Sequence, residues 1–304
     1  MSYTVDVIIP VYKPKETFQK LLNQLEKQTY PIGRIIVINT DESKYPAESI
    51  KAPEQMELHH ITKDEFDHGT TRNQAARMST ADLMLFMTQD AVPANSRMIE
   101  NLVKAFEDET VGAAYARQIP NKDHSLIEKY TRNFNYPAQS RVKRKADLGR
   151  LGIKTFFCSD ACAMYRRSLY LKLGGFAPQA IFNEDMLFAS ELVYSGYGIA
   201  YQAEARVIHS HEYTGMEQLR RNFDNGVSQA VNFRVFGNLP TYGEGMKLVK
   251  GTLAYLIKKG EFSECFRLIY ISACKAIGFT LGKRYFTLPK FVIEKLTMNK
   301  EYWN

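Results

Sequence analysis

Asp90 closes the run Leu85-Phe86-Met87-Thr88-Gln89-Asp90, so a carboxylate stands where a stretch of large apolar residues ends. Such a group is costly to bury unless it is paired or holds a cation. Mg²⁺ and Mn²⁺ take oxygen ligands, typically one or two carboxylates plus substrate phosphates. Asp90 therefore reads either as a ligand for a cation that bridges a diphosphate, or as a turn and capping residue before Val92-Pro93. Phe182-Asn183-Glu184-Asp185-Met186 supplies two more acids. Asn183 suits an N-cap and the acids suit a first helical turn, which accounts for them without chemistry. The other reading makes one acid a general base toward an acceptor hydroxyl. His209 and His211 form the third candidate. They are expected on opposite faces of an extended segment, one a metal ligand and the other structural.

Other chemistries find less support. Cys158, Cys162, Cys265 and Cys274 show no CxxC pair and no metal spacing, which suits reduced thiols in the cytoplasm. No Ser-His or Cys-His nucleophile pattern stands out. The net charge of +7 is compatible with nucleic acid, but no nucleic-acid motif is present, so no such partner is expected. The start, Met1-Ser2-Tyr3-Thr4-Val5-Asp6, lacks a basic and then apolar leader, so a secretory signal is not expected. No apolar run is expected to reach the ~20 residues that cross a bilayer.

These residues need a scaffold, and the first half of the chain alternates strand and helix patterns. Strands are expected at Val5 to Pro10 (where the proline ends the run), Arg34 to Asn39, Met56 to Ile61, Leu83 to Met87 and Val111 to Ala116. Helices are expected over Pro14 to Lys27, Thr71 to Ser79 and Ser96 to Glu107. That alternation predicts an α/β fold around a mostly parallel, twisted sheet. Ligands in such sheets lie beyond the carboxyl ends of the strands, where the candidate motifs fall. Periodicity fades from Lys122 to Lys154, and Arg141-Val142-Lys143-Arg144-Lys145 reads as a solvated loop or as one that binds an anion or grips the acceptor.

Beyond Gly243 the pattern is helical and basic. Residues 243–304 carry eleven Lys/Arg against five Asp/Glu, so most of the chain's excess charge sits there. A boundary is expected between 1–242 and 243–304. Phe262, Phe266, Ile269, Ile277 and Phe279, with Lys275, Lys283 and Arg284, form an amphipathic basic surface that suits either a membrane interface or packing on the catalytic part or a second subunit.

From about Val5 to Asn238 the sequence resembles the inverting glycosyltransferases of family 2, with the GT-A fold. The carrying residues are Ile9-Pro10-Val11-Tyr12, Asn39-Thr40-Asp41, Thr88-Gln89-Asp90, Glu184-Asp185, Ala205 to His209, and Gln218-Leu219-Arg220-Arg221, where Asn222 replaces the family's Trp. The resemblance implies a base contact at Asp41, a one-acid form of the metal motif at Asp90, a metal histidine at His209 and Asp185 as the base beside Glu184. Donor contacts at Pro10, Val11, Tyr12 and Gln89, and acceptor contacts at Arg220, Arg221 and Asp160, are likewise implied. Glu65-Phe66-Asp67-His68-Gly69-Thr70-Thr71-Arg72-Asn73 is similar to bacterial rhamnosyltransferases, which use dTDP-L-rhamnose for surface polysaccharides. Gly69 permits close backbone approach, Arg72 suits nucleotide or diphosphate oxygens, and Asn73 joins them on the donor side. Asp160 also reads as a capping residue, and Arg72-Asn73 as ordinary helix-start residues.

The expected reaction is one in-line displacement, with Mg²⁺ or Mn²⁺ on the leaving diphosphate and a saccharide or lipid-linked saccharide as acceptor. The expected place is the cytoplasm, with peripheral contact to the inner face of the membrane or a homo-oligomer as possible settings. Two alternatives stand beside it. A sugar nucleotidyltransferase would follow its first strand with a Gly-rich phosphate loop, where this chain has Val11-Tyr12-Lys13-Pro14. A non-catalytic nucleotide-sugar-binding scaffold fits the single acid at Asp90 but not the intact Glu184-Asp185.

Overall fold

Runs of Val, Ile and Leu build the strands at the centre of the computed structural model, which describes residues 3–237, 239 and 242–303. Met1 and Ser2 from the start read above, Asn238 at the end of the family resemblance and Asn304 at the chain's end lie outside the described residues. The strands are β1 (Val5–Tyr12), β2 (Ile35–Thr40), β3 (Met56–Ile61), β4 (Leu83–Met87), β5 (Val92–Pro93), β6 (Val111–Ile119), β7 (Arg141–Lys143), β8 (Cys162–Arg166) and β9 (Gly198–Ile208). Among the described residues they form one sheet in the order β3-β2-β1-β4-β8-β6-β9-β5, with β7 also on β9. β1 to β4 pair in parallel, as do β6 and β9, while β8 runs antiparallel to both β4 and β6. The sheet is therefore mixed.

Helices α1 (Glu16–Leu25), α2 (His68–Met78), α3 (Met98–Val103), α4 (Leu126–Asn135), α5 (Leu148–Leu151), α6 (Arg167–Lys172) and α7 (Glu184–Tyr194) cover it. Alternation along β1 divides the core: Val5, Val7, Ile9 and Val11 join Phe18, Leu21, Leu22 and Leu25 of α1. Ile8 faces the other way, into a cluster with Phe86, Tyr165, Tyr170, Phe176 and Phe188. With both faces covered, the central strands β1, β2 and β4 are mostly apolar.

Two local expectations change. β1 does not end at Pro10 but continues to Tyr12 along β2. Its pairing with β4 stops at Ile8–Phe86, so beyond that point it is an edge on one side, where proline is tolerated. Arg141 to Lys145 is not a solvated loop. β7 pairs antiparallel with β9, and alternation turns Lys143 inward to complete burial. Its Nζ donates to the carbonyls of Lys154 and Phe157 and lies 4.8 Å over the Tyr115 ring. Burial lowers its pKa to about 7.

The C-terminal helices are α8 (Gly215–Val231), α9 (Phe233–Phe236), α10 (Tyr242–Lys259), α11 (Phe262–Lys283) and α12 (Lys290–Leu296). α11 lies along α8 with glycines at the crossing. A Cβ on Gly278 would stand 2.1 Å from the Leu219 carbonyl oxygen, and one on Gly282 equally close to that of Phe223. Contrary to expectation, one stretch, α11, is long and apolar enough to cross a membrane by length and composition.

Candidate active site

Strand register brings the candidate residues to one edge. Met87 at the end of β4 stands opposite Cys162 at the start of β8, so Thr88-Gln89-Asp90 and Ser159-Asp160 meet there. The Thr88 N–H donates to the Ala161 carbonyl at 3.3 Å. On the far side, Gln118 and Ile119 of β6 pair with Val207 and Ile208, and the His209 N–H donates to the Ile119 carbonyl.

Asp90, His209 and His211 converge there. The carboxylate oxygens of Asp90 lie 3.5 Å from His209 Nε2 and 3.4 Å from His211 Nε2, and the two Nε2 atoms are 3.1 Å apart. All three ligand atoms fit within 4.8 Å of one another. This corrects the expected division of the histidines. Residues two apart on extended chain share a face, and past Ile208 the backbone leaves the sheet, so both rings turn to Asp90. Burial disfavours the charge on Asp90, but His209, Thr88 and His211 outweigh it and hold the carboxyl well below its ordinary range. Burial and the neighbouring His209 lower the pKa of His211 to about 4, which keeps it in the neutral form that ligates metal. An ionised carboxylate and two imidazole nitrogens aimed at one point suit a divalent cation.

Gln118, which carried no signal as a lone amide on a strand, sets the orientation of His209. Its Oε1 faces His209 Nδ1 at 2.9 Å and also accepts from Arg132, while its Nε2 donates to Ser159 Oγ at 2.9 Å. Arg132 is held by Glu128 on the same helix at 2.6 Å. The chain of contacts runs on to the acids, since the N–H of Asp160, next to Ser159, points at Asp185 Oδ2 at 3.4 Å.

Glu184 and Asp185 open α7. Asn183 before them adopts φ 65°, so its side chain leaves the helix end and donates to Asn225 Oδ1 and Ser228 Oγ instead of capping. Asp185 Oδ1 accepts from the Met186 N–H at 2.7 Å. Burial, reinforced by the charge of Glu184, raises the Asp185 pKa to about 7. Beneath them the buried Arg72 lies 3.5 Å from Asp160 and 3.6 Å from Glu184. Asp160 is 4% exposed, accepts from the Tyr165 hydroxyl at 2.7 Å, and is pushed well above its usual range by burial, against the pull of Arg72.

Several of the expected contact residues also make bonds within the protein. Gln89 clamps the Tyr12 backbone, accepting from its N–H and donating to its carbonyl, both at 3.0 Å. Gly69 lies against the Ala177 carbonyl oxygen, 2.3 Å from where a Cβ would stand. Asn73 holds the Phe176 backbone at both its N–H and carbonyl and the Tyr170 hydroxyl. Arg72 and Asp160 face each other, and Arg220 donates to the Lys295 carbonyl at 3.1 Å.

Two cavities flank the cluster. One of about 560 Å³ lies past the ends of β2 and β3, lined by Asp41, Ser43, His60, Thr62 and Lys63. Asp41 takes φ 68° there, with Ser43 Oγ donating to it at 2.6 Å and Lys63 Nζ at 3.4 Å. Ser43 and then Lys63 hold its carboxyl below its ordinary range. Pro10, Val11 and Tyr12 end β1 nearby, with Lys63 over the Tyr12 ring. The other cavity, about 510 Å³, begins at His211 and Tyr213 and is walled by Arg132, Tyr136, Lys154, Arg221 and Lys275 among others. Arg221 stacks between Phe182, 4.7 Å away, and Tyr213, 5.6 Å away.

Comparison with known proteins agrees with this fold. The chain is 39% identical to the O-antigen chain rhamnosyltransferase RfbN of Salmonella typhimurium, over 99% of this chain and 96% of the relative. It is 36% identical to the O-antigen chain rhamnosyltransferase WbaN of Salmonella anatum, over 100% of this chain and 96% of the relative. A solved mannosyltransferase from Pyrobaculum calidifontis, in complex with GDP-Man and Mn²⁺, superposes with a TM-score of 0.61 at 16% identity, covering 93% of this chain and 88% of that one. That likeness carries the fold alone, a GT-A glycosyltransferase fold. The sequence profile described as glycosyl transferase family 2 matches residues 6–174. On this profile and the full-length relatives, the chain belongs to glycosyl transferase family 2.

Proposed function

We propose that this protein transfers L-rhamnose from dTDP-L-rhamnose, with inversion, to a hydroxyl of a saccharide or lipid-linked saccharide, in the cytoplasm at the inner face of the membrane. The likeness to two O-antigen rhamnosyltransferases supports the sugar and the pathway class. Convergence of Asp90, His209 and His211, joined to Asp185 through Gln118, Ser159 and Asp160, is the observation that carries the mechanism. The second imidazole makes up for the missing acid, which weakens the scaffold reading.

In this reading the nucleoside occupies the cavity at Asp41, and the acceptor enters the one at Tyr213. A divalent cation, Mn²⁺ or Mg²⁺, held by Asp90, His209 and His211 would neutralise the departing diphosphate as a Lewis acid, worth several kcal/mol. Asp185 takes the acceptor hydroxyl proton. Its pKa of about 7 suits a base that must be ionised at neutral pH yet still attract a proton. Backbone N–H groups of Met186 and Asp160 fix its oxygens, and Arg72 supplies the counter-charge that lets three carboxylates share the site.

A thermal-shift panel of nucleoside diphosphates with and without Mn²⁺, followed by transfer from dTDP-rhamnose, tests the reading. Stabilisation by dTDP and rhamnosyl transfer are expected. A uridine or guanosine preference would redirect the donor assignment.

A further inference from the structure

α11 exposes a continuous apolar face. Phe262, Phe266, Ile269, Tyr270 and Ile277 are all more than half exposed, reaching 77% at Phe266. Their spacing, with Ala273 also exposed, follows one side of the helix over 22 residues. The opposite side buries Leu268, Ile271, Cys274, Gly278 and Gly282. Solvent seldom covers an unbroken apolar strip of this length on a soluble protein. Ile257 of α10 and Phe286 and Phe291 beyond α11 are likewise more than half exposed.

The charge around this strip selects its occupant. Residues 243–304 hold eleven Lys/Arg and five Asp/Glu. Lys258 and Lys259 stand exposed where α10 turns into α11, and Arg284 and Lys290 stand exposed past its other end. A second copy of the chain would bring the same positive excess against itself. An anionic lipid surface complements it. Spanning is excluded by packing: the glycines of α11 sit against the α8 backbone, so the helix cannot leave to cross a bilayer. We infer that α11 lies in the plane of an anionic membrane, its outer face among the acyl chains and its flanking cations at the headgroups. Lys275 of the same helix lines the cavity beside His211, so the docked surface and that cavity share one wall. The inference rests on the proposed reaction only for its purpose, since lipid binding is measured without turnover.

Flotation of the full-length protein with phosphatidylcholine vesicles, with and without phosphatidylglycerol, tests it. Binding is expected only with the anionic lipid. Phe262→Ser combined with Phe266→Ser, and separately Lys258→Glu combined with Lys259→Glu, should each weaken it on the order of tenfold or more while thermal unfolding stays unchanged. Equal binding to both vesicle types, or none to either, overturns the inference. So does a concentration-dependent dimer, seen by analytical ultracentrifugation, that the Phe variants dissociate.

Discussion

Gln118 Oε1 stands 2.9 Å from His209 Nδ1 and decides which nitrogen of that ring is free. The same oxygen accepts from Arg132, whose guanidinium only donates, so the amide orientation is forced. Nδ1 therefore donates to Gln118, which fixes the ring with Nε2 facing Asp90 and His211. Gln118→Leu should weaken Mn²⁺ binding about 10- to 100-fold, the usual cost of losing such a partner. Mn²⁺ titration followed by electron paramagnetic resonance reads this directly, and unchanged affinity would remove the role.

The ligand set also ranks the metals. Two imidazoles and one carboxylate suit a transition ion better than Mg²⁺, which prefers oxygen. Mn²⁺ should bind about tenfold or more tighter than Mg²⁺, and His211→Ala should narrow that gap. Competition titrations of the wild type and variant check both statements.

Asp185→Asn should lower kcat by about 10²- to 10⁴-fold with the donor Kd nearly unchanged. In the wild type, kcat should rise with pH along a limb centred near pH 7, because the base must ionise. A carboxyl whose folded-state pKa lies above its unfolded value binds its proton more readily when folded. Its stabilising contribution is thus complete at low pH and is lost as pH rises toward 7. The Asn variant should accordingly melt higher than wild type at pH 8, and the advantage should vanish near pH 4. Calorimetry at the two values decides.

Removing Arg72 strips the counter-charge from Asp160 and Glu184. Arg72→Met should cost about 3–5 kcal/mol in urea unfolding, as expected when one partner of a buried charge cluster is deleted. The acidic limb of the pH profile should also move upward, since Arg72 helps hold the Asp185 proton off. A limb that stays in place would mean the guanidinium acts on packing alone.

The sequence made the central strands legible because their apolar runs are covered on both sheet faces, as with Leu83–Met87, which matches residue for residue; Met56–Ile61 also matches, although it is a weaker, mixed run at the end of the sheet. Asp90, Glu184 and Asp185 were visible as acids at element ends, where burying a charge needs a reason. Gln118 was not, because its importance comes from the register of β6 against β9 and not from its own chemistry. Lys143 misled for a related reason: neighbouring charges suggest solvent, while alternation on a short strand sends one of them inward. Gly69 and Asn73 read as donor-side residues, and the loop around Phe176 also packs on them. Proximity to a ligand and proximity to a neighbouring loop leave the same residue types in a sequence.

A divalent cation held by Asp90, His209 and His211 would keep positions open for oxygens of a nucleotide. A nucleotide that filled them would strengthen retention of the ion, and by reciprocity the ion would tighten the nucleotide by the same factor. The free enzyme would then hold its metal loosely, and cation and sugar donor would be recruited as a pair, so that neither concentration alone governs how full the site is.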